Sequence, residues 1–243
     1  MFDIVNIFPQ FLKNIRAGFS CKQCCNLSFK WPGENVLTNR RKFFSQMNLD
    51  LEKLIMPEQV HSNKIFIVNQ EHCGQGALKK DWLVGVDGIV CQKKDIIIGI
   101  ETADCLPIFA YDSVANVIGI AHAGWRGVVS GVAVELVKKM KQLGSVPANI
   151  NIEIGPHIRQ CCFEVKKDVA DKFSNFPEAV RKEGEKNSIN LGKIVSYQLT
   201  SAGILDKNIE CSNECTCCNG RFYSFRREKE FCRGGMLGFI SMI

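Results

Sequence analysis

Five short runs of β-branched and aromatic residues, separated by turn residues, follow one another in the first half of the chain. They occupy residues 64–68, 88–91, 96–100, 107–111 and 117–121. Runs of this length and composition, bounded by turn residues, are typical of buried β-strands. Two more runs of the same kind, at 150–154 and 236–243, predict further strands. The pattern therefore limits the chain to a fold built around buried β-sheet.

A helical pattern follows the fifth run. Apolar residues recur three or four positions apart, at Val129, Val132, Leu136, Met140 and Leu143. This spacing predicts an amphipathic helix that packs on the sheet, and further helices are predicted at 166–176 and 191–202. The chain shows no repeat and no domain boundary, and its 46% hydrophobic residues suffice for one core. We therefore expect an α/β (α+β) fold in a single domain covering residues 1–243.

Charge and cysteine content favour some classes of protein over others. The net charge of +6 comes from scattered basic residues, so nucleic-acid binding is not indicated. The excess of positive charge is compatible with a small anionic substrate. Residues 1–20 lack the continuous apolar segment of a signal peptide, and no run is long enough to span a membrane. We therefore expect a cytoplasmic protein whose thirteen cysteines are reduced thiols.

Polar residues stand at the ends of predicted strands in three places. His61 precedes a strand, Cys105 stands between two strands, and His122 follows a strand and precedes the predicted helix. Strand ends commonly hold the sites of α/β proteins. Two imidazoles and one thiolate are the three protein ligands that a catalytic zinc usually takes, leaving a fourth position for water or substrate. The sequence therefore predicts a zinc site at these residues, which copper could also occupy because its intrinsic affinity exceeds that of zinc.

Three more residues are candidates for the surrounding site. Asp104 could orient a ligand histidine or relay a proton. Arg40 and Arg126, with the backbone amides around Gly124 and Gly127, could bind a phosphate. The alternative for each arginine is a solvated charge or a salt bridge, since arginine is so often exposed. A single histidine or cysteine is likewise more often structural than catalytic.

Several motifs together resemble those of a known family. They are AGFS at 17–20, QVH at 59–61, TADCLP at 102–107, AHAGWRG at 121–127, CFEV at 162–165 and RFYSFRR at 221–227. The combination resembles the YfiH family, also known as the multicopper polyphenol oxidase or laccase-domain family and as purine nucleoside phosphorylases. The resemblance implies mixed β-sheets sandwiched between helices, with a distant similarity to cytotoxic necrotizing factors.

The resemblance also implies an activity. It is the phosphorolysis of adenosine, inosine and methylthioadenosine to the base and a ribose 1-phosphate, together with adenosine deamination. The expected partners are thus a small purine nucleoside and phosphate, with no nucleic acid and no membrane. The sequence does not indicate an oligomeric state.

Three other functions stay open at this point. Cys105 could be the nucleophile and His122 the base of an amidase, for which the resemblance suggests peptidoglycan precursors as substrates, or of a deamidase like the cytotoxic necrotizing factors. A thiol-rich chain could instead store metal or sense redox state. The third is a copper-dependent polyphenol oxidoreductase, but four histidines without a His-x-His pair are too few for a multicopper cluster.

Cysteines also cluster at residues 21–25 and 211–218. The first cluster contains C-x-x-C and the second C-x-C-C, whereas structural zinc sites favour regular four-ligand spacings. We therefore expect reduced thiols here rather than a second metal site. His157 is expected at a rim or on the surface, and His72 lies in a polar loop without an assigned role.

Overall fold

Two large β-sheets lie face to face in the computed structural model, which describes residues 3–31, 35–79, 83 and 85–243. The strands are β1 (Ile4–Asn6), β2 (Ile15–Ser20), β3 (Leu54–Ile55), β4 (Ile65–Ile67), β5 (Gly88–Cys91), β6 (Ile97–Thr102), β7 (Leu106–Asp112), β8 (Val117–Ala123), β9 (Ile150–Ile154), β10 (Glu164–Val165), β11 (Val180–Glu183), β12 (Lys186–Ile189), β13 (Ile209–Cys211) and β14 (Met236–Met242). The helices are α1 (Val36–Gln46), α2 (Trp125–Val129), α3 (Val132–Gln142), α4 (Lys167–Ala170), α5 (Leu191–Ser201) and α6 (Phe225–Glu228).

The larger sheets are both mixed. The five-stranded sheet has the order β1-β2-β14-β6-β3, and the six-stranded sheet has the order β13-β9-β7-β8-β5-β4. The parallel pairs are β3 with β6, β13 with β9, and β4 with β5, and the other neighbours in these two sheets are antiparallel. A small antiparallel sheet has the order β10-β12-β11.

Helices cover the outer faces of both large sheets. Apolar side chains of the two sheets pack against each other in the middle of the molecule. On the outer face of the six-stranded sheet, the core includes Leu136 of α3 and Ile194 of α5. On the outer face of the five-stranded sheet, Phe43 and Phe44 of α1 pack edge-on or tilted against Phe239 of β14. The predicted fold, a single domain with mixed sheets sandwiched between helices, is therefore confirmed.

The central strand β7 shows why the strand runs are visible in the sequence. Successive side chains of a strand point to opposite faces. Ile108 and Ala110 face the core with α3, whereas Phe109 and Tyr111 face the other sheet. Because both faces are buried, the run from 106 to 111 is continuously aliphatic or aromatic rather than alternating.

The helix predictions have mixed outcomes. The predicted helix at 191–202 is confirmed as α5. The helix predicted through Val129 and Leu143 is two helices, because Gly131 has a left-handed backbone with φ of 79° that ends α2 and starts α3. The helix predicted at 166–176 is wrong in length, since α4 has four residues and a 3₁₀ turn follows it at Asp171–Phe173. Among the described residues, no helix is long and apolar enough to span a membrane.

Candidate metal and active site

His61, Cys105 and His122 come together from three separate parts of the fold. His61 lies between β3 and β4, Cys105 lies in the turn from β6 to β7, and His122 lies in β8. Cys105 Sγ is 3.9 Å from His61 Nε2, and the centroids of the two imidazole rings are 4.8 Å apart. The three ligand atoms all lie within 4.8 Å of one another, so these side chains form a group that could hold one metal ion.

Asp87, just ahead of β5, connects the two histidines. Its Oδ1 accepts hydrogen bonds from Nδ1 of His122 and from the backbone N–H of His61, both at 2.9 Å. Its Oδ2 accepts from the backbone N–H of Val60 at 3.2 Å and of Ser62 at 2.6 Å. Burial opposes the charge of Asp87, but the hydrogen bonds from His122 and Ser62 outweigh it and lower its pKa.

This arrangement fixes the tautomer of His122. With Nδ1 donating to Asp87, Nε2 is the nitrogen left to bind a metal, an arrangement common among metal-binding histidines. Sequence analysis missed Asp87 as a site residue. The available signal was a carboxylate in the turn Val86-Asp87-Gly88, directly before a buried strand.

Two residues of the site have left-handed backbone conformations, His61 with φ of 62° and Asp104 with φ of 95°. Such conformations cost a non-glycine residue free energy, so the surrounding structure must hold them. Asp87 holds the turn of His61 through the three backbone hydrogen bonds described above. Asp104 is held by Thr216 Oγ1, which donates to Oδ1 at 2.6 Å, and by the backbone N–H of Arg226, which donates to Oδ2 at 2.6 Å.

One of the roles predicted for Asp104 was to orient a ligand histidine. Asp104 does not have this role. Both of its carboxylate oxygens are engaged by Thr216 and Arg226, and the carboxylate partner of His122 is Asp87. Neighbouring side chains in a tight turn project in different directions, so Cys105 reaches the histidines while Asp104 reaches the segment 216–226. Asp104 still contributes to the wall of the cavity described below.

Gly124 allows the three ligands to approach one another. A Cβ atom at this position would lie 2.5 Å from Cδ2 of His61 and 3.2 Å from Sγ of Cys105. Only glycine leaves that space for the imidazole. Gly124, the first glycine of the motif AHAGWRG, is thus explained by close packing of the ligands rather than by an unusual φ.

Cys105 and His122 shift the pKa of each other. Burial raises the pKa of the Cys105 thiol, but the charge and hydrogen bonds of His122 and His61 outweigh burial and lower the pKa to about 6. Burial opposes protonation of His122, but Cys105 and Asp87 outweigh it and raise the pKa to about 9. In metal-free protein at neutral pH, Cys105 is therefore a thiolate, the form of cysteine that binds metals and attacks electrophiles.

Arg40 is not at the site, contrary to its predicted role as a substrate-binding residue. Its guanidinium is fully buried. It donates to the carbonyls of Leu27, Gly76 and Ala77 and to Oε1 of Glu101, at distances of 2.6–2.8 Å. With its donors directed at these groups, Arg40 braces strand β6 and cannot contact a phosphate.

A cavity of about 440 Å³ opens beside His61 and Cys105. Its apolar wall includes Trp125, Phe163 and Phe225. Two exposed cations, Arg126 and Lys166, also line it. Arg126 stacks on Trp125, with the guanidinium carbon 4.3 Å from the ring centroid. Of the two predicted phosphate-binding arginines, only Arg126 is therefore placed at the cavity, and Lys166 was not predicted.

A second cavity of about 280 Å³ meets the same group from another side. It shares His61, Ala103, Cys105 and Phe225 with the first cavity. Its other lining includes Lys30, a further exposed cation absent from the predictions.

The two remaining histidines lie outside the group. His157 is buried rather than exposed, its Nδ1 lies 2.8 Å from the carbonyl of Gly155, and burial lowers its pKa to about 4. The expectation of a rim or surface position for His157 is thus wrong. His72 lies in the loop after β4, where its Nδ1 accepts from the backbone N–H of Asn69 at 3.2 Å.

Comparison with known proteins reveals close relatives. Adenosine deaminase RL5, from an unknown prokaryotic organism, is 34% identical over 200 residues, which cover 79% of this chain and 76% of that protein. Purine nucleoside phosphorylase YlmD of Bacillus subtilis is 32% identical over 216 residues, which cover 86% of this chain and 77% of that protein. The crystal structure of the Bacillus licheniformis hypothetical protein YfiH matches with a TM-score of 0.93 at 29% identity, over 100% of this chain and 97% of that chain. The family described as multi-copper polyphenol oxidoreductase laccase matches residues 17–243, and the chain therefore belongs to this family, as its motifs predicted.

Proposed function

We propose that this chain is a zinc-dependent enzyme of purine nucleosides. Its reactions are the phosphorolysis of adenosine, inosine and methylthioadenosine to the base and a ribose 1-phosphate, and the deamination of adenosine. The observation that carries the proposal is the position of His61 and Cys105 in the wall of a cavity of about 440 Å³ that also has aromatic and cationic sides. The names of the relatives RL5 and YlmD support it.

The residues fit one zinc ion. His61, Cys105 and His122 supply two imidazoles and one thiolate, the ligand number of a catalytic zinc with an open position. Asp87 fixes the tautomer of His122, and Gly124 leaves room for His61. When bound, the ion would polarise a substrate oxygen or lower the pKa of a water molecule to about 7, which suits attack on the purine C6 carbon.

The cavity has groups for both parts of a nucleoside reaction. Phe163, Phe225 and Trp125 offer aromatic faces on which a purine base can stack. Arg126 and Lys166 offer positive charge to phosphate, and a guanidinium can bind two phosphate oxygens at once. In phosphorolysis a phosphate oxygen bonds to C1′ of the ribose as the bond from C1′ to N9 breaks, and the base leaves with the electron pair and takes up a proton.

In this proposal Cys105 and His122 act as metal ligands, while Asp104 is a positioning residue. Its hydrogen bonds to Thr216 and Arg226 hold the turn from which Cys105 projects. Arg40 has a similar, more distant role through Glu101 of β6.

Product analysis with inosine tests the proposal. We expect hypoxanthine and ribose 1-phosphate in the presence of phosphate, and no base without it. Arg126→Ala should raise the KM for phosphate about tenfold, since a hydrogen bond to a charged group contributes about 1.5 kcal/mol. Cys105→Ser should lose the activity and the zinc ion of this site, whereas Cys25→Ser, at an exposed cysteine of the 21–25 cluster, should lose neither. Release of free ribose without dependence on phosphate would show that phosphorolysis is wrong.

A cysteine-dependent amidase is the second candidate, and one observation favours it. Asp87, His122 and Cys105 form a chain in which a carboxylate orients a histidine beside a thiol whose pKa is lowered to about 6. Metal removal and thiol alkylation distinguish the two candidates. If activity survives complete removal of metal and is lost when Cys105 is alkylated, as located by peptide mass spectrometry, the amidase holds and the zinc enzyme does not.

A further inference from the structure

Four cysteines outside the candidate active site form a second cluster, which we call the cysteine cluster. Cys161 and Cys162 lie between β9 and β10, and Cys215 and Cys218 follow β13. Their four Sγ atoms all lie within 4.8 Å of one another. All four are free thiols. More than fifty residues separate the two pairs in sequence, so only the tertiary structure reveals the cluster.

The spacing of the sulfur atoms suits a tetrahedral zinc ion. With zinc–sulfur bonds of about 2.3 Å, the sulfur atoms at the corners of a regular tetrahedron lie roughly 3.8 Å apart. Cys218 Sγ lies 3.7 Å from Cys161 Sγ and 3.3 Å from Cys162 Sγ. Four thiolates are a complete ligand set for a structural zinc, with no position left for substrate.

The backbone holds the two halves of the cluster side by side. The N–H of Thr216 donates to the carbonyl of His157 at 3.1 Å, and His157 and Cys215 form an isolated parallel bridge. The N–H of Arg159 donates to Sγ of Cys215 at 3.4 Å, a contact that stabilises a thiolate. Cys161 and Cys218 are exposed, which gives a metal ion a path from solvent.

We propose that Cys161, Cys162, Cys215 and Cys218 bind one structural zinc ion. This proposal departs from the expectation drawn from the sequence, which was that the cysteines at 211–218 are reduced thiols and bind no second metal ion. The cysteines at 21–25 lie elsewhere, with Cys24 Sγ donating to the carbonyl of Asp3 at 3.1 Å. Among the described residues, the sulfur atoms of the 21–25 cluster belong to no group of three or more potential ligands.

The zinc ion would join the segment that continues into the cavity wall at Phe163 and Glu164 to the segment whose Thr216 contacts another lining residue, Asp104. Arg226 Nη1 donates to the carbonyls of Cys162 at 2.7 Å and Glu164 at 2.9 Å. Thr216, the residue after Cys215, holds the carboxylate of Asp104. Cross-linking the two segments therefore stabilises two parts of the site. One is the cavity wall that contains Glu164, and the other is the turn that carries Cys105.

Metal analysis of reduced, zinc-loaded protein tests the proposal. The wild-type chain should hold two zinc ions by native mass spectrometry, one in each site. The double variant Cys161→Ser/Cys218→Ser should hold one, as should Cys105→Ser. Cys211→Ser, a matched control four positions before Cys215, should keep two. Cys217 is left unchanged because its thiol interacts with Cys162.

Cobalt substitution in the Cys105→Ser background needs no change to the cluster, so a folding defect in the double variant cannot obscure the result. This protein should bind one cobalt ion with the intense thiolate-to-cobalt charge-transfer absorption of a four-sulfur tetrahedral site. A Cys105→Ser protein that binds no cobalt, or a double variant that holds as many zinc ions as the wild-type chain, would overturn the proposal. So would a disulfide between Cys162 and Cys218 in the reduced preparation, found by peptide mass spectrometry in place of metal.

Discussion

Asp87 has two functions at the scale of single residues. One carboxylate fixes the tautomer of His122 and also holds the left-handed turn of His61. The two histidines therefore share one support, and a change at Asp87 alters both ligands at once. Carboxylates that support metal-binding histidines in this way contribute substantially to metal affinity.

Replacing this carboxylate should weaken metal binding without unfolding the chain. In Asp87→Asn one oxygen can still accept from His122, but the amide nitrogen cannot accept from the N–H of Ser62. We expect zinc affinity to fall roughly 10- to 100-fold, measured by titration against a chelator of known affinity. Asp112→Asn is the matched control, because Asp112 is also fully buried and accepts from the backbone N–H groups of the β7–β8 turn, away from the site. Equal affinities of the two variants would contradict the role given to Asp87.

At the scale of elements, two glycines with different functions frame α2. Gly124 precedes the helix and lies against His61 and Cys105, whereas Gly131 follows it with φ of 79°. The first is required by a close contact and the second by a backbone conformation. Alanine at the two positions should therefore have separable effects.

We expect Gly124→Ala to impair zinc binding, because the added methyl group would overlap the His61 ring and displace it. Gly131→Ala meets no atom within 4 Å, so it should leave zinc binding intact. Its left-handed backbone should nevertheless cost about 1 to 2 kcal/mol of unfolding free energy. Urea unfolding and chelator titration on both variants measure the two effects. Loss of zinc affinity in Gly131→Ala, or full affinity in Gly124→Ala, would contradict this assignment.

The elements also show what the sequence could and could not predict. The strands β5 to β8 were predicted because both of their faces are buried and their residues are mostly apolar, and β9 was predicted from its three buried isoleucines. The edge strands β1 and β13 are three residues long with exposed positions, so no such run marks them. The helix α1 was missed because its buried face includes the polar Arg40.

The residues of the candidate site likewise divide into those that the sequence could predict and those that it could not. His61, Cys105 and His122 were predictable as polar residues at the ends of apolar strands. The partners of Arg40 and Asp104 and the pairing of Cys161 with Cys218 depend on contacts between segments distant in sequence. No local pattern contains those contacts.

At the scale of the whole molecule, Glu153 of β9 joins the N-terminal segment to the six-stranded sheet. Its Oε2 accepts from the backbone N–H of Phe8 at 2.6 Å. Burial, and the carboxylate of Glu210 on the neighbouring strand β13, raise the pKa of Glu153 to about 7 despite that hydrogen bond. The folded protein therefore holds a proton that the unfolded chain releases near its ordinary pKa of 4.5.

This difference makes a pH-dependent contribution to stability. The contribution is fully present below pH 4.5 and is lost as pH rises through about 7, because the folded state binds more protons across that window. Glu153→Gln should remove this part of the pH dependence, as measured by urea unfolding at several pH values from 4.5 to 8. Glu210→Gln, which removes only the neighbouring charge, should reduce the slope by a smaller amount. An unchanged slope in Glu153→Gln would show that this carboxyl titrates normally.

The position of β14 has a consequence for the order in which the molecule can form. Residues 236–242 make the middle strand of the five-stranded sheet, between β2 at residues 15–20 and β6 at residues 97–102. During synthesis on a ribosome, neither β2 nor β6 can form its hydrogen bonds with β14 until β14 has been made. The closure of so long a stretch of chain is entropically costly and favours slow folding. Until residues 236–242 emerge, β2 and β6 have unpaired edges, and a chaperone that shields such edges would act during that interval.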